Sequence, residues 1–235
     1  MKDKNFYNRE SKHYSSKRYP EVADSYIQFF FKKRLALVLD ILQDNFRHQS
    51  GLSLIEIGCA DGVVLREIKK SLPQIFSHMV GIDTAEEMIG EAKVLSFDEN
   101  LDFFVRGEED KTKQYNCVLE IGVANYGEIE EELQDAKRKI SDDGLFILSL
   151  AGKGSINSWR EKGDGYKNFW RYADYEKLIK NYFEIKKIIP VGINLPFIWR
   201  CPVIARIFQE VAEKLFRLSP NLYHEKIYIL KKKEN

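Results

Sequence analysis

The chain holds 235 residues, 44% hydrophobic and 31% charged, and its 37 basic and 36 acidic side chains leave a formal net charge of +1. That length is enough to bury the core of one α/β domain. So even a balance argues against nucleic acid as the main partner, because such binding rests on a basic surface that releases counterions.

After a polar arm, Ile27, Phe31, Leu35, Val38 and Leu42 recur at steps of three and four, which predicts a helix from about Glu21 to Gln43. Leu52 to Ile57 then reads as a short buried strand ending at Gly58. From there strands and helices alternate. Val64, Leu65, Ile68 and Leu72 mark a helix, Met79 to Asp83 a strand, and Ala85, Met88, Ile89 and Ala92 a further helix. Asp102 to Val105 and Asn116 to Ile121 read as strands, followed by a helix face at Ile129, Leu133, Ala136 and Ile140. A turn at Asp143-Gly144 leads into the apolar strand Leu145 to Leu150, and Tyr182 to Val191 and Tyr223 to Lys231 read as a closing antiparallel pair. The pattern predicts a doubly wound, mostly parallel sheet with helices on both faces. It divides into an arm and helix over residues 1–47 and a domain over 48–235, with an insert at 192–222. Cys59, Cys117 and Cys201 lie far apart without metal-ligand spacing. No zinc site or disulfide framework is expected, and reduced thiols fit a cytoplasmic protein. The arm has no signal-peptide core, and no apolar run reaches the ~18 residues of a transmembrane span.

Ligands of such sheets sit at the carboxyl ends of the strands. Glu56-Ile-Gly-Cys-Ala-Asp-Gly62 lies where the first strand turns into a helix, and Gly58 allows the backbone to pass close to a ligand. Asp83 ends the second strand, where a carboxylate accepts both hydroxyls of a ribose or, alternatively, caps the next helix.

Together these segments resemble the class I S-adenosylmethionine-dependent methyltransferase family, over roughly residues 50–150. The first segment is similar to that family's first motif, and Asp142-Asp-Gly-Leu-Phe-Ile-Leu148 to a later one. The resemblance implies S-adenosylmethionine as cofactor, with Glu56 approaching its amino group and Gly58, Ala60 and Gly62 forming the loop around it. Asp83, with Thr84 beside it, would hold the ribose. Gly107 and Glu108 would meet the adenine edge, and Glu120 and Ile121 end the fourth strand at the next motif. Tyr14 and Arg18 fall where relatives close an arm over the methionine end. Ala60 stands where glycine is common, and Glu108 where aspartate is more usual. A nicotinamide-binding domain would instead need G-x-G-x-x-G, but Ala60 and Val63 occupy its second and third glycine places. That dehydrogenase, and a binding relative without catalysis, are the alternatives.

On the acceptor side, Asn125 and Tyr126 follow the fourth strand near the transferred methyl, and His13 would reach the pocket if the arm folds over it. His48, His78 and His224 read as structural. The segment from Ala151 to Tyr172 carries Trp159, Arg160, Tyr166, Trp170, Arg171 and Tyr172, which either enclose a substrate or pin a surface loop to the body. In the insert, Phe197 and Trp199 precede a helix to about Arg217 whose stripe includes Val203, Ile207, Phe208, Val211 and Leu215. Such a stripe ordinarily packs on the body. A lid over a lipid-linked acceptor, with peripheral membrane contact, or a homodimer contact is the sharper reading. The expected partner is a small molecule methylated on oxygen or nitrogen, with sugars, lipid-linked precursors and quinone-like rings as leading classes.

Overall fold

A computed structural model describes residues 8–156, 166–193, 202–215 and 218–233. In chain order the elements are α1 (Tyr14–Arg18), α2 (Tyr26–Phe46), β1 (Leu52–Ile57), α3 (Val63–Ser71), β2 (Phe76–Asp83), α4 (Glu86–Leu95) and β3 (Leu101–Val105). There follow β4 (Tyr115–Glu120), α5 (Ile129–Lys139), β5 (Ile140–Ala151), α6 (Tyr172–Tyr182), β6 (Phe183–Val191), α7 (Pro202–Leu215) and β7 (Glu225–Lys232). The strands form one seven-stranded sheet in the order β3-β2-β1-β4-β5-β7-β6. β1 to β5 run parallel, whereas β7 is antiparallel to both its neighbours.

Successive strand residues feed opposite layers, as the pleat requires. Leu54 and Met79 pack in a core with Val38 and Leu42 of α2 and Leu65 and Ile68 of α3. Ile55 and Val80 pack on the other side with Leu133 and Ala136 of α5 and Tyr175 and Ile179 of α6. Burial on both faces explains why the parallel strands read as continuous apolar runs.

The structure departs from the sequence reading in four places. α2 begins at Tyr26, because Ser25 and Gln28 form a reciprocal capping box. Its buried ridge runs Tyr26, Phe30, Arg34, Val38, so Ile27 is 62% exposed. The turn expected at Asp143-Gly144 lies inside β5, where a register shift opposite Tyr115 and Cys117 absorbs it. The interval before β6 is the helix α6, whose Tyr172, Tyr175 and Ile179 are buried at helical spacing. Finally, the described members of the α7 stripe, Ile204, Ile207, Val211 and Leu215, are exposed. α7 is attached through Glu213 instead, which pairs with Lys33 of α2 and whose carbonyl accepts from the Tyr223 hydroxyl at 2.9 Å. Among the described residues no helix is long and apolar enough to cross a membrane.

Candidate active site

The carboxyl end of the sheet opens into a cavity of about 810 Å3. One end is built by the β1–α3 turn. Gly58 has φ +75, and a Cβ there would lie 2.6 Å from the Val123 side chain. Gly62 also has positive φ, and a Cβ on it would meet the Phe103 ring at 2.6 Å. Ala60 adopts positive φ (49) without being glycine, a strain of the kind that clusters at ligand sites. Its amide donates to Asp83 Oδ2 at 3.0 Å, and the Ala85 amide donates to Oδ1 at 2.9 Å. The Asp83 carboxylate therefore bridges the turn and the start of α4 while its residue stands in the cavity wall with Thr84.

Two buried acids each carry an oxygen without a partner. Glu56 is 2% exposed and its Oε2 is unpaired; it precedes the wall residues Ile57 and Gly58 but does not itself line the cavity. Burial, reinforced by the Asp83 carboxylate, pushes its pKa up to about 8. Glu120 is in the wall beside Ile121, with Oε2 unpaired, and burial followed by the nearby Glu132 holds it well above the usual carboxylate range. Arg106 answers part of that charge by bonding Glu132 at 2.9 and 2.6 Å and Asp135 at 3.0 Å. A cationic ammonium and an amino-bearing ring are the kinds of ligand that such orphaned acceptors suit. The residues present thus fit S-adenosylmethionine, with the close approach at Gly58, the acid at Asp83 and the acceptors at Glu56 and Glu120.

Glu56 gives a pH prediction. The unfolded chain releases this proton near 4.5, while the folded state keeps it to about 8. Between those values the folded state binds more protons, so stability falls as pH rises. Urea unfolding of Glu56→Gln should show a gentler decline across that window, by roughly 3–5 kcal/mol at its upper end. An identical slope in the variant contradicts the buried, proton-holding Glu56.

The arm folds onto the turn. The Ser15 amide donates to Asp61 Oδ2 at 3.0 Å, its hydroxyl bonds the same oxygen, and Arg66 bonds both the Asp61 carbonyl and Ser15. Tyr14 and Arg18 consequently stand in the wall, with the Arg18 guanidinium 4.0 Å from the Tyr14 ring centre. His13 is exposed and outside the wall. Gly107 and Glu108 are exposed after β3 and do not line the cavity either. The neighbouring Glu109 turns inward, taking the Gly107 amide at 2.6 Å and Lys139 at 2.7 Å.

The other end of the cavity is formed by Asn125, Tyr126, Ala151, Tyr166, His224 and Glu225. Asn125 and Tyr126 are thus brought around one cavity with Gly58, Ala60 and Asp83. Tyr126 stands 5.1 Å from the Tyr166 ring. Trp170 stacks on Tyr175 at 5.4 Å, Arg171 is exposed at the start of α6, and Tyr172 is buried with its hydroxyl bonded to the Tyr223 and His224 carbonyls. None of those three lines the cavity. Trp159, Arg160, Phe197 and Trp199 lie outside the described residues. The sequence reading missed Asp61, Arg34, His224 and Glu225. Arg34 had a signal, since Phe30 and Val38 at i±4 place it on the apolar ridge. His224 and Glu225 had none, because their place depends on β7 pairing Glu225 with Ala151.

A family model described as a methyltransferase domain matches residues 26–189. The chain belongs to that family. Two of the solved structures it resembles, both of magnesium protoporphyrin IX methyltransferase, hold bound SAH or SAM. The chain is similar to a malonyl-[acyl-carrier protein] O-methyltransferase of Bacillus cereus, 26% identical over 141 residues, 58% of this chain and 52% of the relative. It therefore spans about half the length of the curated relatives it matches. Among solved structures, magnesium protoporphyrin IX methyltransferase from Synechocystis PCC 6803 with bound SAH superposes with TM-score 0.65 at 15% identity, covering 97% of this chain and 98% of that one. A complex of a Haloferax volcanii methyltransferase with its activator gives TM-score 0.68 at 14% identity, covering 98% and 96%. These likenesses establish the shared fold, in which the sheet order and the antiparallel β7 agree with a Rossmann-like methyltransferase domain.

Proposed function

We propose that the protein transfers a methyl group to an oxygen or nitrogen of a small molecule, with oxygen favoured. The observation that carries this reading is the continuity of the cavity, which joins Gly58, Ala60 and Asp83 at one end to Asn125, Tyr126 and Ala151 at the other. When bound, the cofactor supplies an already activated methyl group, so the protein's task is chiefly to position the acceptor. Glu56, Asp83 and Glu120 hold the donor end, while Tyr14 and Arg18 close over it and exclude water. Gly122, whose φ is +74, turns the chain between the two ends. The oxygen preference takes support from the Bacillus cereus relative, whose name states O-methylation. Residues 1–47 would serve as the cover and residues 48–235 as the catalytic body, in a cytoplasmic setting that suits the buried free thiols of Cys59 and Cys117. Incubation with methyl-tritiated S-adenosylmethionine and a protein-free small-molecule extract should transfer label to a soluble compound. A protein that binds the cofactor but labels nothing would end the reading.

A further inference from the structure

We propose that the acceptor end of the cavity is a carboxylate site anchored by Arg34, so that the products are methyl esters. This rests on the methyl-transfer reading above and narrows its acceptor class.

Arg34 projects from the buried ridge of α2 into the cavity wall beside Gly122. A Cβ on Gly122 would collide with its guanidinium, and Gly122 directly follows the wall residues Glu120 and Ile121. The side chain is 6% exposed and is itself in the wall. Its carboxylate partner is Glu225, reached through Nη1 alone, at 3.0 and 3.3 Å. The Tyr19 hydroxyl also bonds the guanidinium, but Nε has no partner. A buried N–H without an acceptor is uncommon and asks for one. Glu225 occupies only one terminal nitrogen, so a turn of the planar fork that keeps that bond would bring Nε, covered in the unliganded site, to a second carboxylate. The Phe31 and Phe30 rings stand 4.8 and 5.4 Å from the guanidinium carbon, so the pairing takes place among apolar groups where it is strengthened.

The charge balance agrees. Glu225 is already answered by Arg34, and Glu56 stays protonated up to about pH 8 before a ligand binds. A carboxylate entering near neutral pH therefore shares the Arg34 guanidinium with Glu225, while Glu56 adds no charge against it. The chemistry agrees too. A carboxylate has no proton to lose, so the described wall needs no general base for it. The transfer forms a bond between a carboxylate oxygen and the methyl carbon and breaks the methyl–sulfur bond, whose electron pair stays on sulfur. No proton moves.

The test uses the full chain, methyl-tritiated S-adenosylmethionine and the small-molecule extract, with the product then treated with mild alkali. Methyl esters release their label as volatile methanol, whereas ethers and N-methyl groups do not. Base-labile label is the expected result. Label that is wholly base-stable overturns the carboxylate site and leaves the methyl-transfer reading standing, and no label at all overturns both. Two variants then assign the role to Arg34, with melting by circular dichroism confirming that each is folded. The neutral pair Arg34→Gln/Glu225→Gln removes the anchor without stranding a buried charge, and Arg34→Lys keeps the charge but lacks Nε. Each should lower kcat/KM for the base-labile product about ten- to a hundred-fold. Calorimetric affinity for S-adenosylhomocysteine should stay within about twofold of the parent. If the neutral pair forms the ester at the parent rate, the ion pair only packs the fold and the proposal fails. It fails equally if cofactor affinity drops by the same factor as turnover, since the guanidinium would then be holding the cofactor's own carboxylate.

Discussion

Asn125→Ala should lower the unfolding free energy by about 2–4 kcal/mol, read from urea denaturation. The Asn125 amide nitrogen donates to the Ala151 carbonyl at 3.0 Å, the Asn168 carbonyl at 2.9 Å and the Tyr175 hydroxyl at 2.9 Å. Its oxygen accepts from the Ala151 amide at 2.9 Å, so both polar atoms of the side chain are engaged. One buried residue thereby ties the exit of β4 to the end of β5, to the segment before α6 and to α6 itself. Removing it strands the Ala151 amide and carbonyl away from water, and an unmet buried group costs more than a hydrogen bond returns. Turnover should fall as a consequence of loosening, in step with stability. A variant as stable as the parent but without turnover would show that Asn125 acts on the acceptor directly.

Asp83→Ala should weaken S-adenosylhomocysteine binding by about a hundredfold or more. Charge-assisted bonds to two ribose hydroxyls are each worth ~1.5–3 kcal/mol. The variant also loses the bonds from the Ala60 and Ala85 amides, which set the path of the turn. Through those two amides Asp83 serves as a local cap, which the sequence reading had set against the ribose role as an alternative. Asp83→Asn keeps one of the two amide bonds and loses the charge, and should fall between the parent and Asp83→Ala. Affinity within about twofold of the parent in a folded Asp83→Ala would place the ribose elsewhere.

The turn at Gly58 and the place of Asp83 were legible because their determinants are local. A strand that stops at Gly58, a glycine at position 62 and an acid closing β2 are neighbours in sequence as well as in space. β1 spans Leu52–Ile57 as the apolar run indicates, and Asp83 ends β2. The other end was legible only in part: Asn125, Tyr126 and Tyr166 stand in the wall, but its remaining members come from distant segments. Arg34 meets Glu225 across 191 positions, and Asn125 meets Tyr175 across 50. Local pattern carries no information about such pairs until the sheet order is known. Tyr172 illustrates the limit, because an aromatic in a glycine-rich stretch is equally suited to a ligand or to the core. Its hydroxyl on the Tyr223 and His224 carbonyls puts it in the core. On α7 the periodicity was readable but not what it meets: Glu213 pairs with Lys33, while Ile204, Ile207, Val211 and Leu215 are exposed.

Isothermal titration with S-adenosylhomocysteine and, separately, with NAD tests most directly whether the turn at Gly58 and the acid at Asp83 form an S-adenosylmethionine site. Saturable binding of S-adenosylhomocysteine is predicted, with no heat from NAD, because Ala60 and Val63 deny a pyrophosphate the two glycines it needs. Saturable NAD binding together with silence toward S-adenosylhomocysteine would contradict the account.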